Sequence, residues 1–279
     1  MGIIKITLGG VFMNITPYYA MTGEKPLDVI KPDGGFTGIF RTIACVGDSL
    51  SSGEFESTQP GGGKGYHDYY DYSWGQYIAR AAGCKVYNFS RGGMTASAYM
   101  NGWGQSNDVF NPEKAAQAYI FALGVNDVLN QNQEMGSVDD IDLENPENNK
   151  PTFAGYMGKL LSAYKKIQPK ARFFLMTMPK ETAGEDPRTA SKLAHRALLY
   201  DLCKLYEFTY VIDLWEFGPI YDEQFKYNFY LGGHLNAAGY LLTAQMVMSY
   251  IDYIIRHNPE DFAQVGFIGT EFHNDTRKW

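Results

Sequence analysis

The sequence predicts an α/β fold in which a five-stranded parallel sheet carries helices on both faces. Short apolar runs alternate along the chain with helix-length periodic patterns, the mark of successive βαβ units. Hydrophobic residues make up 45% and charged residues 20% of the 279 positions, enough for a sizeable core. No internal repeat interrupts this order, and right-handed crossovers would place the helices on both sides of the sheet.

Residues 1–37 read as an N-terminal extension, because 17–37 is rich in Pro, Gly and polar groups. Residues 38–258 form the domain proper. Its first strand is expected at 41–46 (RTIACV), running straight into Gly47-Asp48-Ser49. Residues 74–82 have helical spacing and stop at Gly83, a plausible helix-ending glycine. Strands follow at 85–89 and 118–123. The acidic, Asn-rich stretch 129–150 lacks apolar periodicity. Residues 153–167 are amphipathic, with Tyr156, Leu160, Leu161 and Tyr164 on one side. A fourth strand is expected at 172–178, a helix at 191–205, a fifth strand at 210–214 and a closing helix at 237–255. Residues 259–279 form a C-terminal tail.

Charge and composition exclude several functions. The net charge is −7 and no cluster of Lys and Arg offers a phosphate-binding face, so no nucleic-acid partner is expected. Cys45, Cys84 and Cys203 are odd in number and widely spaced, which argues against a disulfide framework or a zinc site. Cys45 reads as buried filler. No metal or cofactor is expected. No run reaches the ~20 apolar residues of a membrane span. The first twenty residues have neither a strongly charged start nor a clean apolar run, so no cleaved signal peptide is expected and a cytoplasmic home is the default.

Ligands of parallel α/β sheets bind beyond the carboxyl ends of the strands, so the residues after each strand matter most. Those are Gly47-Asp48-Ser49-Leu50-Ser51, Ser90-Arg91-Gly92-Gly93-Met94-Thr95 and Gly124-Val125-Asn126-Asp127. Leu231-Gly232-Gly233-His234-Leu235-Asn236 precedes the closing helix. Each has an ordinary explanation: a helix cap at Asp48 and Ser49, a turn at Gly92-Gly93, an Asn-Asp turn, a surface histidine. Together they bring a hydroxyl, close-approach glycines, an amide and an imidazole to one sheet edge. Acyl transfer needs that set: a nucleophile, a base, and donors aimed at a developing oxyanion.

In these four blocks, in order and over about residues 40–256, the chain resembles the SGNH/GDSL hydrolase superfamily. The resemblance implies a flavodoxin-like, three-layer α/β/α sandwich, Ser49 as nucleophile and His234 as general base. It also implies an oxyanion hole from the Ser49 and Gly93 N–H groups and the Asn126 amide. One position departs. The family usually carries aspartate three residues before the histidine, and here that residue is Leu231. The Leu231 carbonyl is therefore expected to orient the imidazole, with Asp213, Asp222 or Glu223 as alternative carboxylates. The substrate class by family analogy is a carbohydrate ester of a small acyl group, acetyl above all. The alternatives are a lipid or thioester hydrolase, an acyltransferase using the same acyl-enzyme, and a catalytically silent binding module.

Other features carry less. Gly61-Gly62-Gly63-Lys64-Gly65 lacks the ending of a phosphate loop, and no preceding strand is expected. Tyr66, Tyr69, Tyr70, Tyr72 and Trp74 wall a pocket or simply pack. The run from Asp139 to Glu144 misses the glycine and last glutamate of a calcium loop and reads as a lid beside the pocket. His67, His195, His257 and His273 read as surface or structural residues. The absence of a G-x-S-x-G elbow counts against the α/β-hydrolase class.

Overall fold

The computed structural model describes residues 15–16, 19–182 and 187–279. Most of the N-terminal stretch behind the signal-peptide expectation lies outside them. The strands, in chain order, are β1 (Thr42–Gly47), β2 (Glu54–Thr58), β3 (Lys64–Asp68), β4 (Lys85–Ser90), β5 (Ala118–Ala122), β6 (Arg172–Met176), β7 (Thr209–Ile212), β8 (Tyr230–Leu231) and β9 (His234–Leu235). Five of them pair in parallel in the order β4-β1-β5-β6-β7. This is the flavodoxin-like order, in which the sheet's first strand in the chain pairs with both its second and its third.

Period-2 alternation divides the core into two layers. On β1, Ala44 and Val46 face one side while Ile43 and Cys45 face the other. On β5, Tyr119 and Phe121 part in the same way from Ala118 and Ile120. The first side is covered by the helices Phe153–Ile167 and Thr189–Leu205, the second by Trp74–Ala82 and Ala237–His257. The result is the expected three-layer sandwich. Among the described residues no helix is long and apolar enough to cross a membrane.

Two regions expected to be irregular are tied to the domain. The segment before β1 lies along the closing helix Ala237–His257. The Lys31 N–H donates to Ser249 Oγ at 2.8 Å, and the Phe36 N–H to Asp252 Oδ1 at 2.8 Å. The C-terminal tail packs under the amino ends of the central strands, where Phe262, Val265 and Ile268 are buried. There Gln117 Nε2 donates to the Val265 carbonyl at 3.1 Å, and the Tyr210 hydroxyl donates to Asp261 at 2.7 Å.

The glycine-rich run required one correction. A strand does precede it: β2 and β3 form an antiparallel hairpin and residues 59–63 are its turn. The pattern was hard to read because β2 alternates charged residues with a single aromatic. Glu54 and Glu56 share one face. Phe55 points the other way, against Tyr69, Tyr72 and Tyr240.

Candidate active site

Strand β1 ends in a sharp turn that only glycine permits. A Cβ on Gly47 would lie 2.2 Å from Ser51 Oγ and 3.0 Å from the Ala122 carbonyl oxygen. Ser49 then opens the single helical turn Ser49–Ser52, capped by Asp48, whose Oδ1 accepts from the Leu50 N–H at 3.1 Å. Asn126 lies in the helical segment Val125–Asn130 directly after β5, the sheet neighbour of β1. Ser49 and Asn126 thus flank the point where the strand order reverses.

Ser49, Gly93, Asn126 and His234 line one cavity of about 430 Å³, with Asp48, Leu50, Glu54, Tyr66, Val125, Asn130 and Gly233. The four sequence blocks therefore meet. Asn126 Nδ2 donates to the Met94 carbonyl at 3.1 Å and reaches Asp48 Oδ2 at 3.5 Å, while its Oδ1 accepts from Asn130 at 2.8 Å. The neighbouring Asp127 is buried, and its Oδ1 accepts from the Ala96 N–H at 2.8 Å. That bond braces the loop carrying Gly93 against the end of β5.

The surroundings of His234 differ from expectation. Leu231 is 47% exposed, and its main chain pairs with that of His234 across the Gly232-Gly233 turn joining β8 to β9. Nδ1 of His234 is buried and has no hydrogen-bond partner among the described residues, so the Leu231 carbonyl does not hold it. The tight hairpin uses the Leu231 main chain for strand pairing instead. Two carboxylates that sequence reasoning missed lie beside the ring. Glu54 Oε1 is 3.0 Å from Nε2, and Glu56 Oε2 is 3.8 Å from Nδ1. Glu56 also accepts from the Gly233 N–H at 2.8 Å and pairs with Lys64 Nζ at 2.7 Å. The signal available was the alternation Glu54-Phe55-Glu56 beside a glycine-rich turn.

The alternative carboxylates are engaged elsewhere. Asp213 is buried and accepts from Arg196 Nε at 2.7 Å and the Tyr200 hydroxyl at 2.8 Å. Asp222 caps the helix Glu223–Phe229, whose first residue is Glu223, and neither residue borders the cavity.

Burial sets the electrostatics. It pushes the Asp48 carboxyl up to about 7, with hydrogen bonding from Leu50 opposing and the charges of Asp127 and Glu54 adding to the rise. Burial likewise raises Asp127 to about 6. Burial holds the His234 imidazole below its ordinary value, against the opposite pull of Glu56. Glu54 is raised by burial and by Asp68, whereas the hydrogen bond from Lys64 keeps Glu56 low.

Tyr66 is the aromatic of the insertion that reaches the cavity, its ring edge-on to His234 at 5.6 Å between centroids. The run from Asp139 to Glu144 does not border the cavity, contrary to the lid expectation. Asp140 accepts from Lys150 and Thr152, and Asp142 accepts from the Glu144 and Asn145 N–H groups, so these carboxylates fold their own loop. Among the described residues no group of three or more His, Cys, Asp or Glu could hold a metal ion. His195 is fully buried, with Nε2 3.1 Å from the Leu123 carbonyl oxygen. A separate cavity of about 610 Å³ lies under the N-terminal segment, where Arg256 pairs with Asp252 and Glu24.

Comparison with known proteins gives the family. Residues 45–242 match the GDSL-like Lipase/Acylhydrolase family, and the chain belongs to that family. A comparison with curated proteins finds no match. Among solved structures, a family two carbohydrate esterase from Clostridium thermocellum, in complex with cellohexaose, is 13% identical. That likeness covers 84% of this chain and 67% of the other, with a TM-score of 0.55. A protein from Lactobacillus plantarum is 16% identical, with 77% and 97% covered and a TM-score of 0.56. A possible lipase from Chitinophaga pinensis is 16% identical, with 78% and 98% covered and a TM-score of 0.50. At these identities the likeness defines a shared fold.

Proposed function

We propose that the protein is a serine ester hydrolase for small acyl groups, acetyl above all, carried on carbohydrates. The observation that carries this reading is the meeting of Ser49, Gly93, Asn126 and His234 around one cavity at the reversal of strand order. His234 takes the Ser49 proton while Ser49 Oγ bonds to the ester carbonyl carbon. The carbonyl oxygen becomes an oxyanion facing the Ser49 and Gly93 N–H groups and the Asn126 amide. Collapse expels the alcohol, which receives the proton from His234 and leaves an acyl-enzyme. Water, losing a proton to the same imidazole, then releases the acid and restores Ser49. Because Nε2 rests against Glu54, the first step exchanges that contact for one to Ser49.

Cavity chemistry supports a short acyl group. Asp48, Glu54, Asn126, Asn130 and the Tyr66 ring line the cavity, and the adjoining cavity of about 280 Å³, which shares Leu50, Val125 and Gly233, sets Glu181, Arg188, Lys192 and Lys226 among its apolar residues. A long acyl chain would need a continuous apolar groove. The carbohydrate esterase likeness supports a carbohydrate alcohol, with the exposed Tyr66 ring as a wall for a sugar.

The test is a panel of p-nitrophenyl esters of rising chain length beside acetylated sugars, with fluorophosphonate labelling of Ser49. We expect labelling that disappears in Ser49→Ala, and the highest kcat/KM on acetyl esters. Preference for long chains would favour a lipid hydrolase. A chain that hydrolyses nothing and takes no label is a binding module, and the reading fails.

A further inference from the structure

The geometry points to Glu56 as the residue that positions the His234 imidazole, replacing from strand β2 the carboxylate that is missing at Leu231. This rests on His234 acting as the base proposed above. The ring's Nδ1 is buried without a hydrogen-bond partner among the described residues, and buried polar atoms are seldom left so. Glu56 Oε2, at 3.8 Å, is the acceptor facing it. A small rotation of either side chain would close that gap, and such contacts are often long before substrate binds.

The loop is shaped around this carboxylate. Gly232 adopts φ +64, and a Cβ there would lie 2.3 Å from Glu56 Oε1. The Gly233 N–H and Lys64 Nζ hold the carboxylate from two other directions. Its side chain is only 10% exposed. A carboxylate on Nδ1 fixes the tautomer that leaves Nε2 free to accept a proton, and stabilises the imidazolium once it has done so. Nε2 has a different neighbour, Glu54, so the two glutamates are not interchangeable.

The groups facing the imidazole are Glu54 and Glu56 from β2, Lys64, Tyr66 and Asp68 from β3. Removing the Glu56 charge takes away an anion that favours imidazolium and leaves Lys64 opposing it. The test is Glu56→Gln, with Glu56→Asp beside it, measured as kcat, KM and the pH profile of kcat/KM on an acetyl ester. Fluorophosphonate labelling rates at Ser49 are taken in parallel.

In Glu56→Gln we expect kcat to fall between about 10-fold and 10⁴-fold with KM little changed. The acid limb should move to lower pH and labelling should slow. Glu56→Asp, which keeps the anion, should return the limb to the wild-type position and recover part of the rate. Wild-type kcat and limb in Glu56→Gln would overturn the assignment, as would a fall in rate of equal size in both variants with no movement of the limb. Absence of labelling in the wild type would instead overturn the esterase reading.

Discussion

Oε1 of Glu54 lies 3.0 Å from Nε2 of His234, so in this structure the nitrogen expected to serve Ser49 is already in contact with an anion. An ion pair there would favour imidazolium, which cannot act as a base. Burial works against it and keeps the imidazole below its ordinary value.

The pH dependence of turnover follows. A base works in its deprotonated form, so activity falls as pH drops through its pKa. Because that value is depressed, the acid limb of kcat/KM should lie below pH 6.5, the ordinary histidine value. A pH–rate profile on an acetyl ester checks this, and a limb above 6.5 contradicts it.

Asn126→Ala should lower kcat on the order of 10²-fold, about 3 kcal/mol of transition-state stabilisation, with KM little changed. Steady-state kinetics of the variant decides the matter. Full activity on every ester would remove Asn126 from the oxyanion site.

Asp48 and Asp127 make stability depend on pH in an unusual direction. Their carboxyls hold protons to about 7 and about 6 when folded, against 3.8 ordinarily. Between those limits the native chain binds more protons than the unfolded one, so these two contribute a loss of stability as pH rises, about 1.4 kcal/mol per pH unit for each group. His195, pushed down to about 4 by burial, acts in the opposite sense up to its ordinary 6.5. A difference between variants isolates the first effect. Asp48→Asn keeps the helix cap and should gain stability relative to wild type as pH rises from 4 to 7, read by denaturant unfolding. A constant difference across that range would be the contrary result.

Phe262→Ala should destabilise the fold by about 3–5 kcal/mol, because the ring is buried against Phe40 and Tyr210 beneath the sheet. Turnover well below the unfolding transition should be unchanged, since the tail lies at the strand ends opposite the cavity. Chemical denaturation and an esterase assay test the two halves. A loss of under 1 kcal/mol would show that the tail is not part of the core.

Much of this was legible in the residues. The helices Trp74–Ala82 and Phe153–Ile167 form where their apolar spacing and flanking residues put them, and the five central strands are the short apolar runs. Three of the motif blocks meet because a parallel sheet delivers every strand's carboxyl end to one edge, and the fourth reaches that edge on the β8–β9 hairpin. Expected strand ends at 178 and 214 ran past the observed Met176 and Ile212, because Met178 and Leu214 are buried apolar residues that lie beyond the last ladder pair. The partners of the imidazole were not legible. Glu56 and His234 are 178 positions apart, and only the folded hairpin brings them together. The polar face of β2 also hid its period from any search for apolar residues. Likewise, nothing in residues 259–279 alone announces that Phe262 and Ile268 complete a core begun by Phe40.

Glu56 and Tyr66 are partners on the same rung of the β2–β3 ladder. One lies beside the His234 imidazole, the other lines the same cavity. Lengthening the turn at residues 59–63 by one position would slip that ladder and send every β3 side chain to the opposite face. Reactivity and selectivity would then change together, through an alteration well outside the four motif blocks. Relatives that keep all four blocks yet differ in this turn should therefore diverge in what they hydrolyse.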